Sequence, residues 1–138
     1  MLALKEGSPE ADAFSIVYGV YLAFEEGRTQ DIEAVQLSTY SVWDALTPGL
    51  RMSLEEVKKF HSEDQSHKIS RGALSWRLVP LKVDILDCIA VVLSQLDLKY
   101  EPPNPINSRL RVTDVLKRVD GSWMMFHHHE SIQPISDL

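Results

Sequence analysis

The chain has 138 residues, one cysteine, and 14 lysines and arginines against 20 aspartates and glutamates, so its formal net charge is −6. This length favours a single domain over residues 1–138 that buries its own core, and a composition of 44% hydrophobic and 25% charged residues excludes disordered, collagen-like and coiled-coil chains. The sequence has no apolar run long enough for a membrane span, no signal-peptide pattern and no basic stripe. We therefore expect a cytoplasmic protein with neither membrane nor nucleic-acid partners.

The first part of the chain has helical periodicity. Ser8, Pro9 and Glu10 form a helix start, because serine caps the first turn, proline loses no hydrogen bond there and the acid favours the positive end of the helix. Apolar residues follow at spacings of three and four on two stripes, which predicts a buried helix ending at Gly27. A short second helix is expected to begin near Thr29 and to extend as far as Leu37.

An extended segment and a third helix are predicted next. Tyr40–Leu46 has the composition of a short strand, stopped by Pro48 and Gly49. Ser53–Glu56 fits a capping box, in which a serine and a glutamate three residues apart satisfy the first backbone N–H groups of a helix. This helix is expected to run to Gln65.

The second half alternates apolar and polar residues, as strands do. The alternation slips by one residue at Pro80, where a β-bulge would keep both apolar sets on one face. It slips again near Ser94 and Gln95. Two more strands are joined by a strong hairpin signal: Arg109–Val119, Asp120-Gly121 and Ser122–Ile132.

Helices followed by a run of antiparallel strands indicate an α+β fold. Two phase slips predict a strongly curved antiparallel sheet. Three helices from the N-terminal half would cover its open side, which gives a cone enclosing a cavity. In the last strand, simple alternation puts His127 and His129 on one face together with Trp123 and Ser131.

The segment from Arg111 to Ser131 resembles the closing hairpin of the nuclear transport factor 2-like superfamily. It contains the pattern R-x-T, then D-G-x-W, then H-x-H-x-S, over 21 residues. It looks most like the SnoaL-like branch and the association domain of calcium/calmodulin-dependent kinase II. The resemblance implies the cone fold over nearly the whole chain, with an internal pocket for a small-molecule ligand.

A second segment, Tyr40–Asp44, is similar to the one that carries the general base of ketosteroid isomerases. That resemblance assigns the base to Asp44 and a first-helix tyrosine to Tyr18 or Tyr21. The protonated aspartate of those enzymes has no equivalent here, since its region offers Arg111 and Thr113 instead. With Arg111 inside the pocket, the ligand would be anionic or polar.

Several alternatives stay open for these residues. Asp44 acts as a general base or caps a turn, and His127 and His129 act as acids or are satisfied by polar neighbours. Arg111 either clamps a carboxylate or pairs with an acid. The ligand-binding set comprises Tyr18, Tyr21, Trp43, Arg111, Thr113, Trp123 and Ser131, although the three tryptophans also suit the core.

No metal or cofactor is expected. His127 and His129 supply two nitrogens, and a zinc site needs at least one more protein ligand. That ligand would have to come from His61, His67, Asp44 or Glu130.

The other face of the closing hairpin would be exposed in a lone cone and would form a homodimer interface. Its residues are expected to be Met124, Phe126 and Ile132 with Leu110, Val112 and Leu116. The function predicted from the sequence is small-molecule binding, with cofactor-independent isomerase or lyase chemistry by proton transfer. The alternative is a non-catalytic dimerisation or ligand-sensing module.

Overall fold

The computed structural model describes residues 2–66 and 72–134. Its helices are α1 (Pro9–Glu26), α2 (Thr29–Ala34) and α3 (Leu54–Ser66). Its strands are β1 (Gln36–Trp43), β2 (Leu50–Arg51), β3 (Leu74–Leu86), β4 (Ile89–Tyr100), β5 (Ile106–Val119) and β6 (Ser122–Ile132).

The helix ends follow local sequence signals. The Ser8 hydroxyl accepts the backbone N–H of Ala11 at 3.1 Å, and Gly27 closes α1 in the left-handed conformation at φ 73°. Ser53 Oγ accepts the N–H of Glu56 at 3.3 Å, so the predicted start of α3 is confirmed. The second helix stops at Ala34, and Leu37 lies in β1, which makes its predicted helical assignment wrong.

The six strands form one curved sheet in the order β2-β1-β6-β5-β4-β3. The strands pair antiparallel except for β1 and β6, which run parallel, so the sheet is mixed rather than wholly antiparallel as expected. The helices pack against one side, which we call the inner face; the opposite side is the outer face. The arrangement is the α+β cone predicted from the order of elements.

A β-bulge at Leu81 confirms the first predicted slip. Pro80 pairs with Ser94 and Lys82 with Leu93, which leaves Leu81 unpaired. The extra residue keeps the apolar residues before and after it on the inner face.

The second predicted slip, in β4, is wrong. β4 pairs with β5 in one continuous register from Ile89 to Tyr100. Its buried inner residues include Ala90, Val92 and Leu96. The apolar residues Ile89, Val91 and Leu93 therefore lie on the outer face.

A bulge that the sequence analysis missed lies at Phe126 in β6. Met125 pairs with Leu116 and His127 with Val115, so Phe126 is the extra residue. Because one extra residue reverses the alternation, Trp123 and Met125 face inward before the bulge, and His128 faces inward after it.

The core lies between the helices and the inner face. It includes the three β5 residues expected on the exposed face, Leu110, Val112 and Leu116, which are at most 3% exposed; that expectation is wrong. Within the described residues, no helix is long and apolar enough to cross a membrane.

Candidate functional site

A cavity of about 150 Å³ lies between the helices and the inner face. Most of its lining is aliphatic or aromatic, contributed by all three helices and by strands β1, β3, β4 and β5. Its polar lining consists of Tyr21, Gln36, Tyr40, Asp44, Arg51, His61, Tyr100, His128 and Glu130.

One end of the cavity holds three polar side chains, those of Asp44, His128 and Glu130. The bulge in β6 turns His128 and Glu130 to the inner face. Val42 of β1 pairs with His128 and Trp43 with His129. The same register continued by one residue puts Asp44 beside Glu130. The pKa values of the two carboxyl groups are therefore coupled: Glu130 raises that of Asp44, and Asp44 lowers that of Glu130.

Tyr21 from α1 completes this end. Its hydroxyl donates to Glu130 Oε2 at 2.7 Å and lies 3.2 Å from His128 Nε2. Burial, then the negative charges of Glu130 and Asp114, raise the pKa of Tyr21 well above its ordinary value. The phenol is therefore a hydrogen-bond donor at every physiological pH.

His128, which lines the same end of the cavity, lies between two acids. Its Nδ1 is 2.5 Å from Asp114 Oδ1, and its Nε2 is 3.4 Å from Glu130 Oε2. Burial alone would lower the pKa of His128, but the charges and hydrogen bonds of Asp114 and Glu130 outweigh it and hold that pKa well above 6.5. We conclude that His128 is an imidazolium at neutral pH.

The imidazolium separates the titrations of the two cavity carboxyl groups. Burial would raise the pKa of Glu130, but the hydrogen bond and charge of His128 lower it to about 2. Burial, then the hydrogen bond and charge of Glu130, raise the pKa of Asp44 to about 6. Asp44 is thus the carboxyl group at this end that exchanges a proton near neutral pH.

Asp44 is also held in place by its own turn. Its Oδ2 accepts the Thr47 hydroxyl at 2.9 Å and the backbone N–H of Leu46 at 3.2 Å. Both hydrogen bonds favour the ionised carboxylate and oppose the upward shift of its pKa. The turn-capping role that the sequence left open is therefore present, alongside a position on the cavity.

Arg51 and His61 form a second polar region of the cavity. The Arg51 guanidinium stacks on the ring of Phe60, 3.9 Å from its centroid, and donates to Thr47 Oγ1 at 3.1 Å. His61 is 8% exposed, and burial lowers its pKa, so it is neutral at pH 7. Its Nδ1 lies 3.9 Å from Glu33 Oε2, beyond hydrogen-bond distance.

Of the residues predicted for the pocket, the cavity lining includes Asp44 and Tyr21. The expectation that His127 and His129 face the cavity is wrong, because the bulge at Phe126 turns both rings to the outer face. There His127 Nδ1 lies 2.8 Å from Ser41 Oγ, and the His129 ring packs 6.4 Å from that of Trp43.

The other predicted ligand-binding residues also lie away from the described cavity lining. Arg111 is exposed on the outer face, where its Nε donates to Ser131 Oγ at 3.2 Å; Thr113 lies on the same face, paired with His129. The expected carboxylate clamp by Arg111 inside the pocket is therefore wrong. The expectation that Trp43 and Ser131 line the pocket is wrong for the same reason. Trp43 pairs with His129 and Ser131 pairs with Arg111, so both lie on the outer face.

Tyr18 and Trp123 occupy two further environments. Tyr18 is 43% exposed and packs on Trp76, with ring centroids 5.1 Å apart. Trp123 is 5% exposed in the core, with the Arg118 guanidinium 4.4 Å from its ring centroid. The core role of Trp123 is the one that the structure supports.

Among the described residues, no group of three or more histidine, cysteine, aspartate and glutamate side chains could hold a metal ion. His67, one of the candidate third ligands, lies outside the described residues.

Sequence reasoning missed His128 and Arg51, and it named Glu130 as a candidate metal ligand rather than as a partner of Asp44 and Tyr21. One signal could have located His128: Asp114 occupies an apolar phase of β5 between Val112 and Leu116, so a buried acid there requires a cationic neighbour across the ladder. Arg51 gave no such signal, because its face depends on the pairing of a two-residue strand.

Comparison with known proteins gives one family match. A SnoaL-like domain model matches residues 16–136. The comparison with curated proteins gives no match.

Solved structures show the same fold at low sequence identity. A ketosteroid isomerase-like protein from Erwinia carotovora atroseptica has a TM-score of 0.77 and 12% identity over 94% of this chain and 99% of that one. The CaMKII hub of S. rosetta has a TM-score of 0.77 and 16% identity over 94% and 100%. An NTF2-like protein from Cytophaga hutchinsonii has a TM-score of 0.71 and 15% identity over 91% and 99%.

Proposed function

Since this chain belongs to the SnoaL-like domain family, within the NTF2-like superfamily, we propose that it binds a small molecule in the cavity and acts on it as a cofactor-independent isomerase or lyase. The observation that carries the proposal is that the Asp44 carboxyl group lines an apolar cavity and has a pKa of about 6. A general base works best when its pKa lies near the operating pH.

The proposed chemistry is proton transfer at carbon. The Asp44 carboxylate takes a proton from a carbon next to a carbonyl group, and the electron pair of the broken C–H bond moves toward the carbonyl oxygen. Protonated Asp44 then donates to Glu130, which stays ionised, until the proton returns to the same or another carbon. For a lyase, collapse of the same electron pair would expel a leaving group.

Two donors stand at the end of the cavity where negative charge would develop. Tyr21 keeps its proton, and His128 carries a positive charge that also balances Glu130. A carbonyl oxygen that displaces Glu130 from the Tyr21 hydroxyl would accept a hydrogen bond from it. Donors fixed in advance in an apolar site stabilise developing charge better than water does.

The size and lining of the cavity favour a small, largely apolar ligand. A cavity of about 150 Å³ lined by apolar side chains is large enough for benzene. We therefore propose a substrate whose enclosed part is of single-ring size.

Hydrogen–deuterium exchange tests this function without knowledge of the natural substrate. Acetophenone and cyclohexanone in D₂O would be followed by ¹H NMR for loss of the protons next to the carbonyl group. We expect the protein to accelerate exchange of at least one probe and Asp44→Asn to reduce that acceleration by roughly 10²- to 10⁴-fold.

Asp12→Asn on α1, outside the cavity lining, is the matched control and should exchange at the wild-type rate. Equal acceleration by wild type and Asp44→Asn would exclude Asp44 as the base. The absence of acceleration with every ketone tested would count against the enzymatic part of the proposal.

We also propose that the chain forms a homodimer through its outer face. This face carries an apolar strip in which Val91 pairs with Val115, and Leu93 with Thr113. Trp43, 43% exposed, lies on the same face of β1, on the far side of His129 of β6. Apolar side chains exposed together on one face of a sheet are typical of an interface. The fold shared with a CaMKII hub supports association as a second role. If the chain is a non-catalytic module, it should still associate through this face but should not accelerate the exchange of either ketone.

Sedimentation velocity tests the dimer. Wild type should sediment at twice the chain mass, and Val91→Glu should sediment as a monomer, because it buries a charge without a partner. Met52→Glu, at a 68% exposed position before α3, is the control and should remain dimeric. A wild-type monomer at every concentration would contradict the proposal.

The single-domain organisation over residues 1–138 and the cytoplasmic location stay predictions from the sequence.

A further inference from the structure

Arg51 is a cationic side chain on the cavity wall. It pairs with Val42 across the β1–β2 ladder, and residues directly opposite in a ladder share a face. Since Val42 is buried on the inner face, Arg51 also faces inward, where it lines the cavity together with Phe60 and His61.

Among the described residues, most of the hydrogen-bonding capacity of the Arg51 guanidinium is unused. It has five N–H donors, and the acceptor that the described part of the chain supplies is the Thr47 hydroxyl. Its flat face is covered by Phe60, which leaves its edge for a planar acceptor. Within residues 2–66 and 72–134, no carboxylate lies within ion-pairing distance of Arg51.

The surroundings of Arg51 favour an anion there. A guanidinium beside apolar walls is costly without a counter-charge. His61, which also lines this region, is neutral and carries a buried Nδ1 that lacks a hydrogen bond. A ligand anion would match the guanidinium, and His61 could donate to it.

The position of Arg51 relative to Asp44 limits the kind of anion. The Thr47 hydroxyl accepts a hydrogen bond from Arg51 Nη1 at 3.1 Å and donates one to Asp44 Oδ2 at 2.9 Å. The guanidinium nitrogen and the carboxylate oxygen are therefore at most 6 Å apart. Glu130, which is ionised, lies beyond Asp44. A doubly charged phosphate would be repelled by these acids, whereas a single negative charge is matched by the charge of the Arg51 guanidinium.

We propose that the cavity takes a monocarboxylate with an apolar body of single-ring size, and that Arg51 binds the carboxylate. This inference rests on the proposed function, because it names the substrate class of the same cavity. The carboxylate on Arg51 would orient the ring so that its other atoms lie against the apolar walls and within reach of Asp44.

Benzoate and benzamide are matched probes for this proposal, since they share size and shape and differ in charge. Their affinities for the full chain would be measured by isothermal titration calorimetry and by saturation-transfer NMR. Wild type should bind benzoate roughly ten- to a hundredfold more tightly than benzamide, and Arg51→Gln should lose that preference while still binding benzamide.

Two further variants separate the role of Arg51 from effects on folding. Arg51→Lys keeps the charge without the planar fork and should retain part of the preference for benzoate. Arg111→Gln removes the outer-face arginine and should keep wild-type affinity for both probes. Circular dichroism and thermal unfolding check that each variant is folded.

Each outcome has one meaning. Equal affinity of wild type for benzoate and benzamide, or an unchanged benzoate affinity in Arg51→Gln, would overturn the carboxylate site and leave the proposed cavity function standing. Loss of the preference in Arg111→Gln rather than Arg51→Gln would also overturn it. If neither probe binds at millimolar concentration, both the carboxylate site and the proposed binding of single-ring ligands fail.

Discussion

The pKa of Asp44 should move in opposite directions when its two side-chain neighbours are changed. The rise from 3.8 to about 6 corresponds to about 3 kcal/mol of differential stabilisation of the protonated form. Burial is the largest cause, and Glu130 contributes next through a hydrogen bond and through its charge.

Glu130→Gln removes that charge but keeps the size of the side chain. Because the hydrogen bond and charge of Glu130 both raise the pKa of Asp44, we expect that pKa to fall below 6 in this variant. Thr47→Val removes a hydrogen bond that the ionised carboxylate accepts at 2.9 Å, so the pKa of Asp44 should rise above 6 in that variant.

The assay is a ¹³C NMR titration of the aspartate carboxyl carbons between pH 4 and pH 8, with Asp44→Asn used to assign the signal. The reasoning would be refuted if Glu130→Gln left the midpoint of Asp44 at 6 or raised it. It would also be refuted if Thr47→Val lowered the midpoint, since the two neighbours would then not act as the contacts require.

Two other predictions concern stability. In urea unfolding, Asp44→Asn should be more stable than wild type at pH 8 by up to about 3 kcal/mol and no more stable at pH 4. The raised pKa of Asp44 makes the native state bind more protons than the unfolded state between pH 4 and 6. The stability of the wild type therefore falls as the pH rises through that window. Equal stabilisation at both pH values would contradict this linkage. Asp114→Asn should destabilise the protein by about 3–5 kcal/mol near pH 6, since it leaves the buried His128 imidazolium without its main partner. Because the folded pKa of His128 is raised, protonation of His128 should let the Asp114–His128 pair stabilise the protein fully below pH 6.5. That stabilisation should be lost as the pH rises through the folded pKa of His128. Thermal unfolding between pH 5 and pH 10 checks the sign, and an Asp114→Asn deficit that grew with pH would be inconsistent with a charged His128.

The fold class and most element boundaries could be predicted because their signals are local. Ser8 and Ser53 cap helices through atoms three residues away, and Gly27 ends α1 through its own backbone conformation. Leu81 is bulged beside a proline, where the slip in alternation is visible in the sequence itself. Each of these features depends on one short stretch of chain, so the residues in that stretch are enough to predict it.

The candidate site was predicted in part, since Asp44 and Tyr21 lie on the cavity as expected. Which histidine joins them depended on a bulge at Phe126, where the sequence shows apolar residues on both faces and no proline or glycine to indicate a slip. Which arginine faces the cavity depended on the pairing of a two-residue strand with β1. Side chains alternate with a period of two, so one extra residue or one choice of strand partner reverses the face of every side chain that follows. The sequence by itself therefore determined the fold class and most of the elements of this protein, whereas the tertiary pairing of the strands decided that His128, Glu130 and Arg51, rather than His127, His129 and Arg111, face the cavity.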